Sequence, residues 1–175
     1  MSYRTAPNIK KIISAHNAKI LRESEEKNEA QKMCNCRKGR ICPLGGKCLI
    51  DNIIYQATVT PTNPPAEPKT YIGLTATTFK QRLANHIKST NYEKYRKETT
   101  LSEHIWGLKD KKIEHQVTWK IIDRAKPFSP VTGSCAICTL EKFYILFKPD
   151  LASINKRDEI NTGCRHKSPM LLDKT

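Results

Sequence analysis

Four side chains in the middle of the chain suit phosphate chemistry: those of Tyr71, Arg82 and His86 and, further along, Glu141. Arg82 offers a planar, permanently charged fork that matches two phosphate oxygens. His86 follows four residues later, so on a helix both side chains share one face. Glu141 offers a hard carboxylate oxygen of the kind that Mg²⁺ or Mn²⁺ binds. Together these residues predict binding and cleavage of a phosphodiester.

Two tyrosines, Tyr55 and Tyr71, are candidates for the base that cleavage requires. A phenol has a pKa of about 10, so either tyrosine needs a neighbouring histidine or a metal to help it lose its proton near neutral pH. Each candidate side chain also fits a structural role, as a strand aromatic or a solvated helix charge. The prediction therefore rests on their occurrence together and in this order.

The composition predicts a polyanionic partner. The chain has 175 residues, with 31 Lys and Arg against 17 Asp and Glu, and a net charge of +14. A positive field of this size favours nucleic acid. No apolar run approaches the roughly 20 residues of a membrane span, and no signal-peptide core precedes the first charges. We therefore expect an intracellular protein without membrane association.

Seven cysteines in a reducing compartment indicate metal sites rather than disulfides. The first four follow C-x-C-x5-C-x5-C with glycines between them, which predicts a closed tetrahedral zinc site of Cys34, Cys36, Cys42 and Cys48. A second structural zinc site is predicted from Cys135, Cys138, Cys164 and His166. His104 is a competing fourth ligand for that second site.

The surrounding pattern predicts an α+β fold with a small, mostly antiparallel three-stranded sheet flanked by helices and with zinc-binding appendages. After a helix over 8–32, the order is strand, strand, helix, helix, strand, helix. The strands are predicted at 53–60, 69–74 and 116–123, with loops at 61–68 and 127–133. The predicted units are a basic helical linker segment (1–33), a cysteine-rich knuckle (34–52), a main domain (53–160) and a tail (161–175).

Three sequence signals place the helix ends. Thr77 or Thr78 is expected to cap the helix that carries Arg82. Thr100 with Glu103 predicts a capping box for the next helix. The last helix, from Cys135, is expected to stop at Lys148, because a proline follows.

The candidate residues, in their order, resemble the GIY-YIG nuclease domain. The matching segments are Ile53-Ile54-Tyr55, Tyr71-Ile72-Gly73, Arg82-x-x-x-His86, a helical Glu141 and a trailing Asn155. Ile53 stands where the first motif has glycine. The resemblance covers residues 53 to about 157 and implies hydrolytic DNA cleavage at a one-metal site.

The resemblance also implies a role for each site residue. Tyr55 and Tyr71 would be the paired active-site tyrosines, and Arg82 would bind the scissile phosphate. His86 would assist proton transfer, and Glu141 would hold Mg²⁺ or Mn²⁺. Asn155 would orient the local structure or the phosphate.

A narrower resemblance is to the endonuclease region of Penelope-like retroelements, carried by residues 34–59, by Thr100–Trp106 and by the tail segment Ile154–Lys167. It implies a nuclear location, with a reverse transcriptase domain and element RNA as partners besides DNA. The nick would supply a 3′-OH that primes reverse transcription. The alternative function is a catalytically inactive, zinc-stabilised DNA-binding module.

Overall fold

A three-stranded antiparallel sheet is the frame of the molecule, as the sequence predicts. The computed structural model describes residues 8–26, 33–37, 42–126, 128–129, 133–157, 163–164 and 166. Its elements are α1 (Ile9–Glu26), β1 (Ile53–Asn63), β2 (Lys69–Thr75), α2 (Phe79–Asn91), α3 (Thr100–Asp110), β3 (Glu114–Arg124) and α4 (Ala136–Phe147). The α+β class and the element order are confirmed. Residues 27–32 of the predicted first helix, most of the predicted loop at 127–133 and most of the tail lie outside the described residues.

The sheet has the order β2-β1-β3, so β1 is its central strand. β1 and β2 form the predicted hairpin, with Tyr55 opposite Gly73 and Ala57 opposite Tyr71. Residues 53–57 are buried without interruption, because helices cover both faces of the sheet.

The two faces of β1 pack into two separate clusters. Tyr55 points, with Tyr71, toward Phe79 of α2 and Leu101 of α3. Ile54 packs instead, with Ile72 of β2, against Ile137 of α4 and Ala152. Consequently α2 and α4 lie on opposite sides of the sheet, and side chains from both can meet only at its margin.

The predicted loop after β1 is wrong in its first three residues. Residues 61–63 continue β1, with Pro61 opposite His115 on β3. Proline is tolerated there because β1 pairs with β2 only as far as Val59, and the β3 ladder is irregular between Pro61 and Asn63. The third strand is longer than predicted by two residues at its start and one at its end.

The caps are partly as predicted. Thr78 caps α2, where its side chain accepts a hydrogen bond from the Gln81 backbone. At α3 the prediction is wrong by one residue, because the capping box is formed by Thr99 and Ser102. Glu103 is free of that role and pairs instead with Lys156, at 2.8 Å. α4 ends at Phe147, before Lys148, as expected.

None of the described helices has the length and apolarity needed to cross a membrane.

The outer edge of β2 is covered by the segment that follows α4. The side chain of Asn155 accepts a hydrogen bond from the Ile72 backbone N–H at 2.7 Å and donates to the Ile72 carbonyl at 2.9 Å. Ile154 N donates to the Thr70 carbonyl at 2.8 Å, and Ser153 Oγ accepts from Thr70 N at 2.8 Å. An amide side chain therefore takes the place of a fourth strand beside the middle of β2.

We predict that Asn155→Ala destabilises the fold by about 2–4 kcal/mol, because it leaves both polar groups of the Ile72 backbone without a partner. Ser153→Ala should cost less, since the Ile154 backbone still bonds to Thr70. The free energy of unfolding in urea measures both variants. Equal losses of unfolding free energy in the two variants would contradict the role assigned to the Asn155 side chain at the β2 edge.

Candidate active site

The hydroxyl of Tyr55 is the centre of the candidate site. It lies 2.7 Å from His86 Nε2 and accepts a hydrogen bond from Arg82 Nε at 2.9 Å. The Tyr55 side chain is fully buried on the α2 side of β1. The Arg-x-x-x-His spacing on α2 thus delivers both side chains to one oxygen atom, as their shared helix face predicts.

His86 is enclosed by aromatic rings and stays uncharged. Its ring centroid lies 5.7 Å from that of Tyr55, 6.1 Å from that of Tyr71 and 5.3 Å from that of Trp119. Burial, followed by the nearby charge of Arg82, lowers the pKa of His86 to about 3. A neutral imidazole has one acceptor nitrogen, so Nε2 can accept the Tyr55 proton while the hydroxyl oxygen accepts from Arg82.

Arg82 keeps its charge although it is largely enclosed. Burial by itself disfavours the charged form, but the hydroxyls of Tyr55 and Tyr71 more than offset it and raise the pKa of Arg82 above its ordinary value. The guanidinium remains partly accessible and lines a cleft. Arg82 therefore connects the buried tyrosines to a space that a ligand can enter.

Gly73 makes this arrangement possible. A Cβ atom at position 73 would lie 2.5 Å from Tyr55 Oη and 2.9 Å from Tyr71 Cε1. Such distances are far inside van der Waals contact, so any side chain here would push the Tyr55 ring away from Arg82 and His86. The glycine of the Tyr71-Ile72-Gly73 segment is thus required by close packing.

The cleft has a volume of about 580 Å³ and opens beyond the end of β2. Residues 74–77 form its floor, Arg82 lies on the α2 side, and Glu141 lies on the α4 side. This is the margin where the two layers meet. Of the predicted site residues, Tyr55, Tyr71, Arg82 and His86 are brought together, and Glu141 shares the cleft with Arg82.

Three further polar residues line this cleft: Asn85, Glu98 and Lys142. Asn85 lies one turn after Arg82, and Lys142 directly follows Glu141, so helical spacing was the signal that could have found them. Glu98 precedes α3 in an irregular segment, where the sequence contains no such signal. Asn155 lies at the β2 edge, with its amide bound to Ile72, and orients the local structure.

Glu141, the residue predicted to bind a divalent cation, lines this cleft. Mg²⁺ keeps several of its waters and needs only one or two carboxylates from the protein. Glu141 and Glu98 are the carboxylates among the lining residues. Of these two, Glu141 is the ligand that the sequence predicts.

The first cysteine cluster has the geometry of a zinc site. The ligand atoms of Cys34, Cys36, Cys42 and Cys48 all lie within 4.8 Å of one another. Cys48 Sγ is 3.6 Å from that of Cys36 and 3.5 Å from that of Cys34. A tetrahedral Zn–S₄ site needs about 3.7 Å between sulfurs. The four thiols are compatible with structural zinc, as predicted.

The second cluster is that of Cys135, Cys138, Cys164 and His166, again within 4.8 Å. His166 Nδ1 lies 3.1 Å from Cys138 Sγ and 3.6 Å from Cys135 Sγ. This set is also compatible with zinc. The competing ligand His104 is not part of it: His104 lies on α3, and its Nε2 is buried without a hydrogen-bond partner among the described residues.

Each cysteine cluster supports one wall of the cleft. The backbone of the first cluster bonds to the first turn of α2: Phe79 N donates to Ile50 O at 3.0 Å and Lys80 N to Cys48 O at 2.8 Å. These are donors that a helix start otherwise leaves without partners. The second cluster brackets the start of α4, and Cys138 and His166 line the cleft itself. Zinc bound at either cluster would therefore support the wall that carries Arg82 or the wall that carries Glu141.

Comparison with known proteins identifies no relative, since no protein-family model, curated protein or solved structure matches the chain.

We predict that Gly73→Ala destabilises the fold by on the order of 1–3 kcal/mol, because the new methyl group overlaps Tyr55 Oη. Gly107→Ala in α3 is the control: a Cβ there meets nothing within 4 Å, so it should be neutral or stabilising by up to about 1 kcal/mol. Urea unfolding compares the two. A Gly73→Ala protein as stable as Gly107→Ala would refute the close approach.

The chain should bind two zinc ions. Cys34→Ser and Cys138→Ser should each lose one ion, because each cluster offers four ligands and none in reserve. His104→Ala should retain both ions. Elemental analysis of the purified variants measures the stoichiometry, and one ion lost from His104→Ala would exclude the Cys3His assignment for the second cluster.

His86 should make the protein acid-sensitive. Its pKa falls to about 3 on folding, from 6.5, so between these values the unfolded chain binds a proton that the folded chain does not. This part of the stability is complete above pH 6.5 and falls with pH toward 3, by up to about 1.4 kcal/mol per pH unit. His86→Gln should flatten the decline in a urea titration across this range. Parallel curves for the two proteins would mean that folding does not lower the pKa of His86.

Proposed function

We propose that this chain is a metal-dependent endonuclease that hydrolyses phosphodiester bonds of DNA, cutting one strand at a time. The observation that carries the proposal is the placement of the Tyr55 hydroxyl between Arg82 and His86, next to a cleft that Arg82 and Glu141 line together. A base, a phosphate-binding cation and a metal-binding carboxylate are the groups that this reaction needs.

Arg82 is proposed to bind the scissile phosphate. Its Nε donates to Tyr55, and the guanidinium is also hydrogen-bonded to Tyr71. The remaining N–H donors of the fork would bind phosphate oxygens. The tyrosine contact fixes the plane of the fork before substrate arrives, and a fixed donor stabilises developing negative charge better than a mobile one. Tyr71 adds to the electrostatic hold on the same group.

Tyr55 is proposed to receive the proton of the attacking water. The charge of Arg82 favours negative charge on the Tyr55 oxygen, whereas the low pKa of His86 keeps the imidazole neutral. For that step Tyr55 first loses its own proton to solvent. Arg82 and the Nε2–H tautomer of His86 would then both donate to the phenolate oxygen, which becomes a phenol again when it takes the proton of the water. Tyr55 has the stronger claim of the two tyrosines, since its hydroxyl contacts both Arg82 and His86.

Glu141 is proposed to hold Mg²⁺ or Mn²⁺ at the α4 wall of the cleft. Such a cation, when bound, polarises the phosphate and stabilises the leaving oxygen. Glu141 lies across the cleft from Arg82, so a phosphate between them would meet positive charge on both sides. The net charge of +14 supports DNA as the partner.

The resemblance to the endonuclease region of Penelope-like retroelements supports a role for the nick. Its 3′-OH would prime reverse transcription, in the nucleus, by a polymerase domain that acts on element RNA. Those partners are part of the proposal and follow from the resemblance alone.

A zinc-stabilised DNA-binding module without activity is the second candidate. The complete burial of Tyr55 and the fit of two clusters to structural zinc favour it, because neither requires a reaction. The two functions differ in what the Glu141 carboxylate does, so a test on that residue separates them.

We predict that Glu141→Gln abolishes nicking of supercoiled plasmid in Mg²⁺ or Mn²⁺ while DNA affinity stays within about twofold, because affinity comes from many Lys and Arg contacts. Glu67→Gln, in the exposed turn between β1 and β2, is the charge-matched control and should nick normally. Arg82→Lys in the same assay should lose on the order of 100-fold, since lysine lacks the fork. Equal nicking by wild type and Glu141→Gln, or none by either, would reject the endonuclease.

A further inference from the structure

A patch of aromatic and basic side chains lies outside the cleft, where α2 ends and a short 3-10 turn follows. We define this aromatic-basic patch as Lys88, Tyr92, Lys94 and Tyr95. The ammonium groups of Lys88 and Lys94 lie 4.2 Å and 4.8 Å from the centroid of the same Tyr95 ring. The Tyr92 side chain is 60% exposed. Two cations and an exposed ring are thus concentrated in eight residues.

The two lysines form an unneutralised pair. Neither makes an ion pair with a carboxylate in the part of the chain that the structure describes. Like charges held against one ring repel each other, and an anion bound between them would relieve that repulsion. Hydrogen bonds from Lys88 and Lys94, followed by the charges of the same two lysines, lower the pKa of the Tyr95 hydroxyl. Two ammonium groups so close together favour the binding of a phosphate group.

The patch continues directly from the cleft. Asn85 lines the cleft, and Lys88 follows it by three residues on the same face of α2. Tyr92 is the residue that caps the end of this helix. The rise of a helix separates Asn85 from Tyr92 by about 10 Å. After the turn, the chain returns to the cleft at Glu98. A strand that leaves the cleft along α2 therefore meets the patch within one or two nucleotides.

We propose that the aromatic-basic patch binds a single strand of nucleic acid, with phosphates at Lys88 and Lys94 and a base stacked on Tyr92. An unpaired base can present its face to an exposed ring, whereas the bases of a duplex are covered by their neighbours. The path of this strand toward the cleft rests on the proposed function. Binding at the patch does not, and it is measured without cleavage.

The test is binding of a fluorescein-labelled oligothymidylate, and of a duplex of equal length, by fluorescence anisotropy without added Mg²⁺. Tyr92→Leu removes the aromatic face but keeps apolar bulk. It should weaken single-strand binding about tenfold with an unchanged salt slope. Lys88→Gln with Lys94→Gln should weaken it about tenfold and reduce the slope of log affinity against log salt by about 1.4. Binding of the duplex should change less than twofold for Tyr92→Leu.

Lys69→Gln with Lys111→Gln is the matched control, because both lysines are exposed and lie near His104, away from the patch. This control should bind the single strand within about twofold of wild type. The inference is overturned if Tyr92→Leu binds as wild type, if the control loses as much as the patch variant, or if polyglutamate displaces the oligonucleotide as well as unlabelled oligothymidylate does.

The same proteins separate this inference from the endonuclease. A wild-type chain that never nicks plasmid but shows the expected binding pattern rejects the proposed function and leaves the patch as a nucleic-acid site. A chain that nicks normally while its patch variants bind single strands as wild type rejects the patch alone.

Discussion

A buried phenol hydroxyl must have hydrogen-bond partners, and the rest of the candidate site follows from how Tyr55 obtains them. Arg82 donates to it and His86 lies within bonding distance. Arg82 in turn tolerates its enclosure because two tyrosine hydroxyls compensate for lost water. Each group is costly alone and stable together with the others, so the three form a unit that substitution at any one position would break.

That unit lies on one layer of the molecule, and the carboxylate that completes the cleft lies on the other. The sheet separates α2 from α4, and only the margin beyond β2 lets Arg82 and Glu141 face the same space. The positions at which α2 and α4 start therefore decide, more than the sheet does, whether Arg82 and Glu141 line the same cleft. A cysteine cluster adjoins each start, which explains why a small domain would carry two of them.

Much of this could be predicted from the sequence, because the signals were local. Period-two patterns located the strands, Arg-x-x-x-His placed two side chains on one helix face, and cysteine spacing found both clusters. Failures came where tertiary context decided. Pro61 extends a strand because its β2 side is unpaired there, and Thr99 rather than Thr100 caps α3. Neither Glu98 nor the steric role of Gly73 could be inferred, since both depend on residues that are close only after folding.

The second cysteine cluster has a consequence for the order in which the chain assembles. Tyr55, Tyr71 and Arg82 all come before residue 91, so this part of the cleft is synthesised early, and Trp119 and Asn155 complete its packing later. Cys164 and His166 come last, and until they are present α4 lacks its clamp. The Arg82 side of the cleft is therefore synthesised well before the segment that adjoins the start of α4. The two walls of one cleft thus depend on distant parts of the chain.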